Sequence, residues 1–493
     1  MKRIELRSVC LAAAALGWGL STAAVAAPVL PLALMLQPDD HEEAEEDEDA
    51  DEYLLLEGGD IYTGTGSVLR GAHLLSKNGV IEAIGYDFWY PEDVERIDCR
   101  GMRLYPGMVA LSATSRITGG LLAPEDPDLF LDVNADDDED WEDEDFDPAP
   151  TAAELAAETL DSFDPFSEYL VLALAAGITT VDQGGSAIKL KRHEIKGTIT
   201  ASGNLLSFSW TSPDARRRTR GDFAAAAQYL RDLADYEAEK RSNKDAEEPS
   251  SRGINSSALA VLRNERMARF SASERGDLLG IARLAQEFGF RPVIQGGREA
   301  WTVADELGRA GATVILVPRE RRWGDPLRVA EDGSSIENAA ILHAAGCQVA
   351  VQASSSSIDL GGIAGRDLIA LNLEAGFAIR GGLSNEAALQ AITIVPARLM
   401  GADHRIGSLE VGKDADVLIT DGDLLHYETF VQYAVVAGNV AYDKQDELYY
   451  AHIRPRNDGA PLIPAVESEG EGEGEGEGEG DGEGDSDESA EGN

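Results

Sequence analysis

The run LYPGMVALSATSR, residues 104–116, decides how the rest of the chain is read. Pro106-Gly107 marks a turn, and four apolar residues, Met108 to Leu111, follow it before the small polar Ser112 and Thr114. A short apolar run bounded by turn residues fits a buried strand, with a buried helical turn as the alternative. In an α/β barrel the residues just past a strand's C-terminal end face the active-site mouth. Ser112 and Thr114, two apart, then point to the same side.

Working outward, residues 53–103 read as short strands, with Asn78-Gly79 between apolar runs as a hairpin turn. Residues 151–160 and 167–176 have helical composition, and Gly177-Ile178-Thr179-Thr180-Val181 reads as a buried strand. Residues 214–255 are charged and helix-like, with Phe223, Tyr229, Leu230 and Leu233 at helical spacing, and are expected to be a peripheral insertion with a loop over 240–252. From residue 267 strands (267–270, 292–294, 313–317, 349–351) alternate with helices (274–288, 299–310, 335–345, 367–381, 385–399), the signature of βα units.

The stretch LYPGMVALSAT resembles the first barrel strand of the amidohydrolase superfamily, in particular its imidazolonepropionase-like and dihydroorotase-like members. Those carry Pro-Gly, an apolar run, Asp, one residue and then His-x-His; here Ser112 and Thr114 hold the two His places. Gly79-Val80-Ile81-Glu82-Ala83-Ile84-Gly85 and Ile97-Asp98-Cys99-Arg100-Gly101 resemble the N-terminal half of the family's flanking β-sandwich. Gly382 to Leu389, Thr393 to Arg398 and Ile406 to Asp416 resemble the return from barrel to sandwich. The resemblance implies an α/β fold: a (β/α)8 TIM-like barrel over 106–404, interrupted at 121–150 and 214–258, with a small β-sandwich from 53–105 and 405–450. It also implies hydrolysis of C–N bonds other than peptide bonds, with zinc or another divalent metal at the barrel mouth.

Family alignment puts Ser271 and Ser273 at a second His-x-His, Gly296 at a further His and Ser354 at the catalytic Asp. Neutral hydroxyls bind zinc weakly, and glycine offers no side-chain ligand. The seven histidines, at 41, 73, 193, 343, 404, 426 and 452, include no two at ligand spacing. The sequence therefore leads to the expectation of a copy with no metal cofactor, serving as a binding or assembly subunit. Such a subunit would take a small-molecule ligand and form a homo-oligomer or pair with an active relative. The alternative is a hydrolase of cyclic amides or related small molecules with a remodelled site. Acid–base candidates for it near predicted strand ends are Asp182, Glu274, Asp277 and Glu299, with Asp277 and Glu299 put forward for substitution. Ser354 to Ser357 is a serine run without a Gly-x-Ser-x-Gly elbow. Lys189 matches a lysine some relatives carry after the second strand, and beside Lys191 and Arg192 it reads as part of a surface basic cluster.

Charge and termini bound the function further. The chain of 493 residues carries a net charge of −48, concentrated in acidic runs near 39–52, 125–147 and 467–491. Such a polyanion repels nucleic-acid phosphates, and the runs themselves read as solvated linker, insertion and tail (27–52, 121–150, 451–493). Asp136 to Asp140 lacks the Gly and spacing of a calcium loop. Lys2, Arg3 and Arg7 precede an apolar stretch over 9–20 and a small-residue site at Ala24-Val25-Ala26, so residues 1–26 read as a signal peptide for export to a bacterial periplasm. No transmembrane helix is expected after its removal. Of three cysteines Cys10 leaves with the signal, and Cys99 and Cys347 are expected as buried or half-buried thiols rather than a disulfide framework.

Overall fold

A computed structural model describes residues 51–113, 117–118, 151–244, 246–324, 332–358 and 367–447. The expected signal peptide, most of the acidic linker, the acidic insertion, the tail and Thr114 lie outside the described residues.

The chain enters through five strands: β1 (Tyr53–Tyr62), β2 (Val68–Lys77), β3 (Val80–Gly85), β4 (Glu95–Asp98) and β5 (Arg103–Pro106). β1 and β2, then β2 and β3, pair antiparallel. The β2–β3 turn is the predicted Asn-Gly pair, with φ 50° at Asn78 and 81° at Gly79. That doubly left-handed turn matches the twist of a two-residue hairpin. β5 runs directly into β6 (Met108–Ala110), so the quoted stretch carries the crossing from sheet to barrel.

The barrel strands follow as β6, β7 (Ile178–Gln183), a hairpin of β8 (Ser186–Lys189) and β9 (Ile199–Ser202), then β10 (Leu205–Ser207), β11 (Met267–Ala272), β12 (Pro292–Gly296), β13 (Thr313–Leu316) and β14 (Gln348–Val351). β6 pairs parallel with β7, and β10 to β14 form one parallel sheet. Alternation sorts their side chains. Val109, Leu111, Val293, Ile315 and Ala350 share the inner cluster, while Ala110, Ile294, Val314, Leu316 and Val351 pack outward in the large core that includes the helices. Burial on both faces is why these strands read as continuous apolar runs.

The helices are α1 (Ala152–Asp161), α2 (Glu168–Ala175), α3 (Pro213–Lys240), α4 (Ser256–Leu262), α5 (Arg275–Phe288), α6 (Ala304–Arg309), α7 (Asn338–Ala344), α8 (Leu371–Arg380), α9 (Asn385–Ala391) and α10 (Ile394–Leu399). The Ser212 hydroxyl accepts the Ala215 amide and Pro213 opens α3, a strong start signal. This charged segment is not peripheral as expected: Phe223 is fully buried and stacks on Phe290 at 4.6 Å. Its apolar stripe, Ala215, Thr219, Phe223 and Ala226, is narrow, and charge on the remaining faces hid it.

The expected single helix over 385–399 breaks between α9 and α10. Pro396 cannot donate to the carbonyl of Ile392, and that carbonyl instead accepts the Val109 amide of β6 at 2.8 Å. A helix junction thus stands beside β6, and among the described residues the parallel pairings are β6 with β7 and those that run from β10 to β14. α10 contributes Ile394, Val395 and Leu399 to the inner cluster.

The chain returns through β15 (Val417–Thr420), β16 (Val431–Val436) and β17 (Asn439–Asp443). β15 pairs antiparallel with β5, so both ends of the fold complete one eight-stranded sheet. Its apolar cluster joins Leu74 and Ile81 to Val417 and Val435, and the Ala415 amide donates to the Gly79 carbonyl at 2.8 Å. The sheet therefore curls around its own core. Cys99 and Cys347 are buried free thiols, which burial pushes up to about 12. No helix among the described residues is long and apolar enough to cross a membrane.

Lys189 is the clearest departure from expectation. It is not part of a surface basic cluster: its side chain is 0% exposed, with Nζ 2.6 Å from Asp414 Oδ2 and 2.9 Å from Asp416 Oδ1. Burial ends between Leu190, which is also fully buried, and the half-buried Lys191 and Arg192, so one run of basic residues spans two environments. Replacing Lys189 by Met leaves two buried carboxylates without their ammonium, and urea denaturation is expected to show a loss of about 3–5 kcal/mol; an unchanged midpoint would contradict the pairing.

Candidate ligand site at the barrel mouth

The site begins where β6 ends. Ser112 sits at φ 58°, in the left-handed region that non-glycine residues seldom occupy. That turn aims the Ser112 amide at the Asp182 carboxylate, which also accepts the Gly185 amide. The Ala113 amide meanwhile donates to the Asp182 carbonyl at 2.7 Å, locking the end of β6 to β7. From β12 the Gln295 amide Nε2 donates to Ser112 Oγ at 3.3 Å.

β11 supplies the cation. Arg269 alternates with Phe270, which packs outward, and so shares the inner face with Ser271. Its guanidinium donates to Ser207 Oγ of β10 at 2.8 Å from one nitrogen and 3.2 Å from another. Ser271 pairs in register with Gln295 and is exposed. Five strands, β6, β7, β10, β11 and β12, thus place hydroxyl, carboxyl, amide and guanidinium groups in one band. Two buried acceptor oxygens have no hydrogen-bond partner, Thr180 Oγ1 on β7 and Gln352 Oε1 just past β14.

Asp182 is the electrostatic centre. It is 7% exposed. Burial raises its carboxyl above the usual carboxylate range, opposed by the nearby Arg269 charge and by the two backbone donors. Desolvation penalises the charged form, and here it outweighs the attractions.

The other predicted positions resolve individually. Gly296 has φ 107°, and a Cβ there would lie 2.6 Å from Ser273 Oγ, so the backbone itself excludes a larger residue. Ser354 donates to Glu374 Oε1 at 3.1 Å. Glu374, on α8 and 0% exposed, also binds Arg319 beyond β13, with Nη2 at 2.7 Å and the Arg319 backbone amide at 3.2 Å. Ser354, expected at a catalytic position, therefore joins a buried ion pair tying α8 to the ends of β13 and β14. Glu299 is 3% exposed, and its oxygens accept the Arg275 and Gly333 amides at 3.1 Å each. Asp277 faces α3 and pairs with Arg216 at 2.5 Å. Glu274 lies 3.4 Å from Arg322 and is exposed. Glu299 and Asp277 hold helices and loops; neither belongs to the band around Asp182. Thr114 lies outside the described residues.

The donor set does not fit a divalent metal. The band offers one carboxyl and no imidazole, and among the described residues no three His, Cys, Asp or Glu side chains group to hold an ion. Sequence reading passed over Arg269, Gln295 and Gln352 because it searched the family's ligand positions. Their signal was local: a polar side chain on the inner face of an otherwise apolar strand.

Comparison with known proteins places this geometry. Residues 219–447 match the model described as the amidohydrolase family. An amidohydrolase of Thermotoga maritima is 23% identical, with a TM-score of 0.55, over 79% of this chain and 100% of that one. A putative prolidase from Bifidobacterium longum is 17% identical, with a TM-score of 0.43, over 79% of this chain and 95% of that one. N-acetylglucosamine-6-phosphate deacetylase of Danio rerio is 46% identical over 50 residues, 10% of this chain and 12% of that protein, so the match spans only a small part of its length.

Two outcomes test the site. Removing the Glu374 carboxylate (Glu374→Ala) strands the Arg319 guanidinium, and chemical denaturation should show a loss of about 3–5 kcal/mol. For Asp182 the native state holds its proton to higher pH than the unfolded chain, whose pKa is about 3.9. Native stability therefore falls as pH rises from that value through the raised folded one, and Asp182→Asn removes this slope. Stability curves of wild type and variant should diverge in the variant's favour as pH rises from about 4 towards 7; parallel curves would show that Asp182 is not desolvated.

Proposed function

We propose that this chain, whose residues 219–447 match the amidohydrolase family, keeps that family's barrel mouth as a binding site for a small polar molecule, without metal-dependent hydrolysis. The observation that carries this reading is the band around Asp182. Arg269 supplies a cation for a carboxylate or carbonyl, and Gln352 Oε1 and the Asp182 carboxyl supply acceptors for N–H or O–H groups. Buried polar groups without partners cost free energy in the empty protein, and a ligand that satisfies them recovers it. Of the six positions that the resemblance aligns with family site residues, Ser271, Ser273, Gly296 and Ser354 are spent on small side chains, a tight turn or the Glu374 pair. This supports a role as a binding or assembly subunit, as a homo-oligomer or beside an active relative.

A second reading rests on Asp182 itself. A carboxyl that burial makes harder to ionise is suited to general acid–base chemistry, which supports a hydrolase with a remodelled site. Export supports neither over the other; it rests on the basic and apolar pattern of residues 1–26, and an N-terminus beginning at Ala27 in the periplasmic fraction is its expected sign.

One experiment separates the readings. Metal analysis of the purified protein should find less than stoichiometric zinc, and a chelator should leave its thermal midpoint unchanged. A panel of N-acyl amino acids, lactams and hydantoins is then screened by thermal shift and for turnover. A ligand at a hundredfold excess over its Kd adds about 2.7 kcal/mol of stability, and Arg269→Met should abolish that shift. Stoichiometric zinc with chelator-sensitive hydrolysis would falsify the binding role, whereas metal-independent turnover lost in Asp182→Asn would establish the second reading.

A further inference from the structure

Arg269 differs from other half-buried arginines of this fold in having no counter-ion. Arg298 is met by Glu320 at 2.9 Å, Arg319 by Glu374 at 2.7 Å and Arg405 by Asp414 at 2.8 Å. Arg269 is half-buried too, yet among the described residues it makes no ion pair. Its Nε and Nη2 both rest on the neutral Ser207 hydroxyl, and Nη1 has no partner there while remaining open to solvent. Asp182 acts on it only at a distance, and burial makes that carboxyl harder to ionise. A half-buried charge without a counter-ion costs free energy, which an anion from solution offsets.

The neighbouring strand adds an acceptor. Val293, the register partner of Arg269, belongs to the inner cluster, so Arg269, Ser271 and Gln295 all face the barrel interior. Gln295 lies one strand across and two residues along from Arg269, about 8 Å between backbones by strand geometry. Its amide nitrogen is spent on Ser112 Oγ. Its Oε1 accepts nothing among the described residues and, like Arg269 Nη1, is not sealed in the interior. The mouth thus presents an open guanidinium nitrogen and, a short reach along, an open carbonyl oxygen, with the exposed Ser271 hydroxyl beside both.

Resting on the reading of the mouth as a binding site, we propose that its ligand is a small carboxylate with an N–H donor close to the acid group. The carboxylate takes the open nitrogen of Arg269, and the N–H donates to Gln295 Oε1. A guanidinium is always charged and only donates, so it favours a carboxylate over a neutral amide of the same shape. A carboxamide oxygen only accepts, so it favours an N–H over an ether oxygen in the same place. A cationic ligand would meet Arg269 and be repelled.

The test titrates the full chain by calorimetry with N-acetylglycine and two isosteres. N-acetylglycinamide loses the charge, and acetoxyacetate replaces the N–H by oxygen. Saturable binding of N-acetylglycine is expected, with the amide weaker by about tenfold or more and the ester by about threefold to tenfold. Arg269→Met should abolish the preference for acid over amide, and Arg269→Lys, which keeps the charge, should retain part of it. Gln295→Leu should abolish the preference for N-acetylglycine over acetoxyacetate, a result that loss of structure alone would not give. Circular dichroism confirms that each variant is folded. Equal binding of acid and amide, or N-acetylglycine binding unchanged in Arg269→Met, would overturn this inference. Failure of the acid, beside a neutral lactam or hydantoin whose binding Arg269→Met abolishes, would overturn the inference and leave the mouth as a binding site. Failure of all these compounds to bind would overturn both.

Discussion

The fold turns on one buried ammonium. Lys189 lies on β8, inside the barrel wall, while Asp414 and Asp416 lie on the connection that leads into β15 of the sheet. Each carboxylate is also held from elsewhere: Asp414 by Arg405 at 2.8 Å, Asp416 by the Ala437 amide at 2.7 Å. The Asp416 carbonyl accepts the Gly107 amide at 3.0 Å, at the point where β5 becomes β6. A charge removed from water costs several kcal/mol, and only close, multiply bonded partners offset it. That requirement fixes the barrel and the sheet in one relative arrangement, because any slip would separate the ions inside a low-dielectric interior.

The mouth uses the same device for a different end. Arg319, Glu374 and Ser354 form a second polar knot, which ties α8 to the ends of β13 and β14. Around the rest of the mouth the described residues offer hydroxyls and carboxamides, and the carboxyl Asp182 is desolvated. Among the described residues the mouth is a polar band with one guanidinium, Arg269, and one carboxyl, Asp182. Such a band can orient a polar molecule by hydrogen bonds, which is a binding chemistry before it is a catalytic one.

Much of this was legible in the chain itself. The apolar run Met108 to Leu111, the Asn78-Gly79 turn and the βα alternation after residue 267 each follow from local periodicity and turn chemistry. That Ser112, Ser271, Ser273 and Gly296 carry no imidazole and Ser354 no carboxylate is a matter of residue identity and needs no coordinates. Those features are local, so the sequence determines them: a strand's alternation, a glycine's φ and the ligating power of a hydroxyl do not depend on what lies far along the chain.

Tertiary structure decided the rest. Lys189 looked exposed because Lys191 and Arg192 beside it are charged, yet its partners lie 225 and 227 residues away, at Asp414 and Asp416. Phe223 looked peripheral inside a charged helix until it met Phe290. Glu299 and Asp277 looked like acids at strand ends, but their oxygens are engaged by Gly333 and Arg275 amides and by Arg216. Arg269, Gln295 and Asp182 become a site only when three strands bring them to one face. Burial and pairing are properties of contacts between distant segments, and no local pattern encodes which segment will arrive.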